Sequence, residues 1–125
     1  MVTRPLILIA DDDIRFQELC AAQLRSAGFE VIVAKNGMEA VASAKKQRPA
    51  LILIDLRMPA KDGLAATLQL KNDPSTHEIK IAFFTFLGNE KDIEIAHAYG
   101  AEDFINKEIS MADLVAKVRA LTNNS

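Results

Sequence analysis

The sequence has a single cysteine, Cys20, in 125 residues. An internal disulfide is therefore excluded, and a reducing, cytoplasmic compartment is expected. There is no excess of positive charge: 15 Lys and Arg stand against 17 Asp and Glu, a formal net charge of -2. With neither a basic stripe nor a basic tail, no direct nucleic-acid binding and no attachment to an anionic membrane are expected. Long hydrophobic runs are missing too. The run from Leu6 to Ala10 is too short for the core of a signal peptide and ends in three acids. No stretch approaches the roughly 20 apolar residues of a membrane span, so no membrane insertion is expected. Linkers, repeats and low-complexity segments are absent as well. The length suits one domain with one core, residues 1–125.

What is present is alternation. Leu6–Ala10, Val31–Ala34, Leu51–Ile54, Ile79–Phe84 and Asp103–Ile105 are short and mostly apolar, and read as buried strands. Helical patterns lie between them. Phe16, Cys20, Leu24 and Ala27 recur at helical spacing, and Gly28 stops that helix. Met38, Val41 and Ala42 follow an Asn36-Gly37 turn. Leu64 and Leu68 follow Gly63, and Asp73-Pro74 ends their helix. Ile93, Ala96 and Tyr99 lead to Gly100. Met111, Leu114, Val115, Val118 and Leu121 form the last stripe, behind a Ser110-x-x-Asp113 capping box. Five strand–helix alternations imply an α/β fold with a parallel sheet and helices on both faces. Such sheets bind ligands beyond the carboxyl ends of their strands, at the topological switch point.

The polar residues fall on that edge. Asp11, Asp12 and Asp13 follow the first strand, Asp55 the third, Thr85 the fourth and Lys107 the fifth. In a flavodoxin-like, doubly wound order 2-1-3-4-5, taken from the fold class, these strands are neighbours and the side chains converge. Each residue also has a plain structural reading. Asp13 caps a helix, Asp55 begins a turn, Thr85 is a branched strand residue and Lys107 is a solvated lysine. Their coincidence at one end favours chemistry. Clustered carboxylates disfavour their shared ionised state, and a few carboxylates with several waters suit Mg²⁺. A metal-held carboxylate can attack phosphorus and form an aspartyl phosphate. A lysine ammonium and a hydroxyl are suited to the phosphoryl oxygens.

These residues, with the motifs LILIADDD, LILIDLRMPAKDG, FFT and AYGAEDF, resemble the receiver domain of response regulators, the phosphoacceptor half of two-component signalling. The resemblance covers essentially the whole chain. It implies that Asp55 accepts a phosphoryl group from a histidine kinase or a small acyl phosphate, and that the chain either docks on a target or passes the group to a histidine phosphotransfer protein. Asp12, Asp55 and the backbone carbonyl of Arg57 would ligate Mg²⁺, with Asp11 acting mostly through water. Lys107 would contact the phosphoryl group, while Thr85 and Phe104 would move as the switch. Met58-Pro59 and Asp62-Gly63 would shape the loop and start the third helix. The altered surface would be the fourth helix, fifth strand and fifth helix, roughly Lys91 to Ala120, acting on a target protein. No output domain is expected in this chain, which is read as a signalling module and not an enzyme.

Two positions depart from the family pattern. A small residue usually follows the threonine, but here it is Phe86. A ring there is expected either to restrict access, slowing transfer and hydrolysis, or to pack on apolar neighbours such as Leu87. Proline usually follows the lysine, often with a cis bond. Here it is Glu108, and a trans bond is expected because a non-proline cis bond costs about 2.5–4 kcal/mol. Arg57 and Leu87 hold positions thought to tune phosphoryl lifetime. His77 and His97 lack a second ligand at metal spacing and read as surface residues. Cys20 reads as core, and Tyr99 as a cover over the fifth strand or else a partner contact. Other functions fit less well. An aspartate-nucleophile phosphatase would want an acid where Arg57 stands, and a nucleotide binder a Gly-rich loop where three aspartates stand. The remaining alternative is a phosphorylation-independent interaction module with the same fold.

Overall fold

A computed structural model describes residues 4–58, 60–86 and 90–123. Its strands are β1 (Leu6–Ala10), β2 (Glu30–Ala34), β3 (Leu51–Ile54), β4 (Lys80–Thr85) and β5 (Asp103–Asn106). They alternate with α1 (Ile14–Ser26), α2 (Gly37–Gln47), α3 (Gly63–Lys71), α4 (Glu90–Ala98) and α5 (Met111–Thr122). The sheet order is β2-β1-β3-β4-β5 and every pairing is parallel. This is the flavodoxin-like doubly wound architecture expected from the alternation. The fourth strand runs one residue further along than expected, so Thr85 is its last residue and pairs with Asn106.

The pleat sends alternate residues to opposite faces. Ile7 and Ile9 of β1 pack with Cys20, Ala21 and Leu24 of α1 and with Leu114 and Val118 of α5. Leu8 and Ala10 pack instead with Ala40, Val41 and Ala44 of α2, Ala66 and Leu70 of α3, and Ala96 of α4. The central strands are covered on both faces, which is why they read as continuous apolar runs. The edge strands differ from that expectation. On β2, Glu30 and Val33 are exposed, and on β5 only Ile105 is fully buried.

Caps fix where helices begin. Asp13 accepts from the Phe16 N–H at 3.1 Å, the capping role anticipated for it. Asn36, Asp62 and Ser110 cap α2, α3 and α5 in the same way. Three stripes are corrected: on α4, Ile93 is exposed and only Ala96 is buried among the described residues, and the other two lie on α2 and α3. Met38 is 61% exposed and Ala42 is exposed, while α2 buries Gly37, Ala40, Val41 and Ala44. Leu68 is exposed, while α3 buries Gly63, Ala66, Thr67 and Leu70. Close approach is the cause. A methyl group on Gly37 would lie 2.0 Å from the Lys61 carbonyl oxygen, so small residues occupy this junction and large ones turn outward.

Candidate functional site

Parallel pairing continues one residue past the strands and pins the backbone of the acidic and basic residues. The Asp11 N–H donates to the Ala34 carbonyl at 3.0 Å, that of Asp55 to the Ala10 carbonyl at 3.0 Å, and that of Lys107 to the Thr85 carbonyl at 2.9 Å. The loop after Asp55 then folds back tightly. Gly63 donates to the Leu56 carbonyl at 2.9 Å. A methyl group on Gly63 would lie 2.0 Å from the carbonyl oxygen of Asp55, so only glycine fits there. Met58 is buried in the core, Asp62 caps α3, and Pro59 lies outside the described residues.

The side chains converge as expected. Lys107 Nζ lies 2.6 Å from Asp11 Oδ2 and 2.8 Å from Asp55 Oδ2. Lys107, Asp11, Asp55 and Thr85 are all buried, so the reading of Lys107 as a solvated lysine is corrected. Asp13 N–H donates to Asp11 Oδ1 at 2.9 Å, and Arg57 N–H to Asp55 Oδ1 at 3.3 Å. Burial pushes the pKa of Asp11 above the usual carboxylate range, against the lowering effect of Lys107. Burial alone would lower the Lys107 pKa, but its contacts with Asp11 and Asp55 outweigh this and raise it. The two directions are compatible because one ammonium serves two acids.

The donor set fits a hard divalent cation. Carboxylate oxygens of Asp11, Asp12 and Asp55 lie within 4.8 Å of one another. Asp11 Oδ2 is buried, and the Lys107 ammonium beside it at 2.6 Å is its close cationic partner. Oxygen-only donors, one of them on exposed Asp12, match the preference of Mg²⁺ for a few carboxylates and retained water.

A groove of about 470 Å³ leads to Asp55, lined by Arg57, Asp62, Leu64, Thr85, Phe86 and Asp92 among others. Phe86 is half-exposed, and its described packing partner is Phe16 of α1, 5.9 Å between ring centroids. Leu87 lies outside the described residues. Phe104 is partly buried against the α4-side core, in register with Phe83. No cis peptide occurs among the described residues, so Lys107–Glu108 is trans, and the Glu108 N–H donates to Asn106 Oδ1 at 2.9 Å. His77 and His97 are exposed, and Tyr99 is half-buried just beyond α4.

Sequence reasoning missed Gln17. Its buried amide donates to the carbonyls of Ala34 at 2.7 Å and of Ile9 and Asp11 at 3.2 Å, tying the loop after β1 to the ends of β1 and β2. The signal was its spacing: Gln17 precedes Cys20, Ala21 and Leu24 on one helical face.

Residues 7–119 match the family model of the response regulator receiver domain. The chain is 35% identical over 117 residues to the DNA-binding dual master transcriptional regulator RpaA of Synechocystis sp., covering 94% of this chain and 48% of that protein. It is 36% identical over 115 residues to the phosphate regulon transcriptional regulatory protein PhoB of Pseudomonas aeruginosa, covering 92% and 50%. It thus spans about half the length of these curated relatives. Among solved structures, the receiver domain of the sensor histidine kinase PA1611 from Pseudomonas aeruginosa PAO1 superposes with a TM-score of 0.87 at 29% identity, over 96% of this chain and 98% of that one. That structure has a magnesium ion coordinated in its active site cleft. The signal receiver domain of a histidine kinase from Syntrophus aciditrophicus gives 0.85 at 32% identity, over 94% and 89%. The sequence match, the sheet order and the acids and lysine gathered at its carboxyl edge agree, and this chain belongs to the response regulator receiver domain family.

Proposed function

We propose that residues 1–125 act as one phosphoacceptor domain in the cytoplasm, phosphorylated on Asp55 by a histidine kinase or a histidine phosphotransfer protein. The observation that carries this reading is the buried Lys107 ammonium 2.8 Å from the Asp55 carboxylate. It supports phosphoryl chemistry over an interaction module that works without it. Asp12, Asp55 and the Arg57 carbonyl would hold Mg²⁺, with Asp11 one water further out. The ion would neutralise charge on the phosphoryl oxygens.

The chain's own residues do the rest. A carboxylate oxygen of Asp55 forms the new bond to phosphorus. The bond from phosphorus to the donor's imidazole nitrogen, or to an acyl oxygen, breaks, and its electron pair leaves with the donor. Lys107, held between Asp11 and Asp55, is placed to accompany the charge onto the phosphoryl oxygens. Thr85 ends the neighbouring strand, and its hydroxyl would bond one of those oxygens. That bond gives the phosphorylated state a contact the free state lacks, so it shifts a two-state equilibrium. Phe104 would follow, altering the surface of α4, β5 and α5 that a target protein reads. Arg57 and Leu87 would tune access.

The test is intact mass after incubation with Mg²⁺ and acetyl phosphate or phosphoramidate, with Asp55→Asn alongside. One phosphoryl adduct on the native chain, absent in the variant and in EDTA, is expected. An adduct that persists in Asp55→Asn would remove Asp55 from its role.

A further inference from the structure

The Lys107 ammonium meets two rings as well as two carboxylates. Its Nζ lies 4.9 Å from the Phe16 ring centroid and 5.3 Å from that of Phe86. Phe16 leans on Phe84, 5.4 Å away, and Phe84 is buried in the core. A column of aromatic rings therefore rises from the core and ends over the lysine. The chain explains it simply. Phe84 and Phe86 are two residues apart at the end of β4, so an extended backbone puts both on the face that α1 covers. Phe16 sits in the first turn of α1.

Burial does not account for Phe86, which leaves 52% of its surface in water. Its contacts do. A ring face attracts an ammonium within about 6 Å, and more strongly where water is excluded. With two acids and two rings around it, the Lys107 side chain is only 3% exposed.

We propose that Phe16 and Phe86 form an aromatic clamp that fixes the Lys107 ammonium beside Asp55, making Phe86 a positioning residue for phosphoryl transfer. The role in transfer rests on the phosphoacceptor reading; the clamp itself does not. It also differs in sign from simple obstruction. A screen over Asp55 slows transfer, so removing it speeds the reaction. A clamp on Lys107 assists transfer, so removing it slows the reaction.

Two measurements test this. In ¹H–¹³C spectra of the unphosphorylated protein, ring currents are expected to move the Lys107 ε-methylene protons upfield. Phe86→Leu would lose part of that shift and Phe86→Tyr would keep it. Unshifted Lys107 protons in the native chain would overturn the clamp. In adduct formation with Mg²⁺ and phosphoramidate, Phe86→Leu is expected to be slower by roughly fivefold, the scale of one cation–π contact, while Phe86→Tyr keeps the native rate. Phe86→Leu as fast as the native chain, or faster, would overturn the positioning role. A native chain that takes no adduct would overturn the phosphoacceptor reading and Phe86's role in transfer with it, while the spectra still decide the clamp.

Discussion

The two flanks of the site are built differently. On one side, α1 buries Gln17, Cys20, Ala21 and Leu24, and the strand ladder runs on into Asp11 and Asp55. On the other, α4 buries only Ala96 among its described residues, and Ile93 is 37% exposed. Few buried apolar contacts mean a low free energy for local opening. The carboxylates thus stand on the flank that is hardest to move. Thr85 and Phe104 border the flank that is easiest to move. A flank with a large buried face and a flank with a small one thus meet at the carboxyl edge of the sheet.

The largest blow to the backbone that carries Asp55 should come from Gly63→Ala. The added methyl would meet the Asp55 carbonyl oxygen at 2.0 Å and its carbon at 2.8 Å, both backbone atoms that cannot swing aside. A loss of about 3 kcal/mol or more is expected in urea unfolding, at the upper end of overpacking costs. A loss under about 1 kcal/mol would mean that the loop relaxes and that backbone is softer than it looks.

A matched pair sets the flanks against each other. Leu24→Ala on α1 removes a fully buried side chain and should cost about 2–5 kcal/mol. Ile93→Ala on α4 removes a partly exposed one and should cost under about 1 kcal/mol. Amide exchange should agree, with α4 exchanging before α1. Equal losses, or equal protection, would erase the contrast.

The same contrast governs what the sequence made legible. The central strands were plain because covered faces leave room only for apolar residues, and Asp11, Asp55 and Lys107 were plain because each follows a strand directly. The stripes of α2 and α3 misled because the faces they bury include Gly37, Ala40, Ala44, Ala66 and Thr67, small residues that a search for large apolar ones passes over. The Phe16–Phe86 contact was invisible for another reason. It depends on how α1 is rotated over the end of β4, and that rotation is set by packing rather than by any local pattern.

Cys20 probes the fixed flank chemically. Burial, and then the charge of Asp11, raise its thiol from an ordinary 9.0 to about 11. In the native chain at pH 8 it should stay silent to a thiol reagent and react only on global unfolding. A raised pKa gives stability that is complete below the unfolded value and is lost as pH rises through the folded one. The advantage of the native chain over Cys20→Ala should therefore shrink between pH 9 and about 11, by about 2 kcal/mol. Fast labelling at pH 8 would show that α1 opens locally.

The subtlest test bears on the acids themselves. Asp11 is buried and its pKa is raised, so its ionised form is disfavoured in the fold. Its contribution is complete below the unfolded value and is lost as pH rises through the folded one. Ionising Asp11 therefore costs the fold stability as pH rises. Asp11→Asn keeps the shape and an acceptor for the Asp13 N–H while removing the charge. In EDTA at pH 7 its melting temperature should rise by a few degrees, and the gain should vanish at acid pH, where the native side chain is itself neutral. The same variant should bind Mg²⁺ more weakly, which would mark the acid as a group kept for chemistry at the expense of the fold. A lower melting temperature would mean that pairing with Lys107 at 2.6 Å outweighs the cost of burial, and that the fixed flank is held by charge as well as by packing.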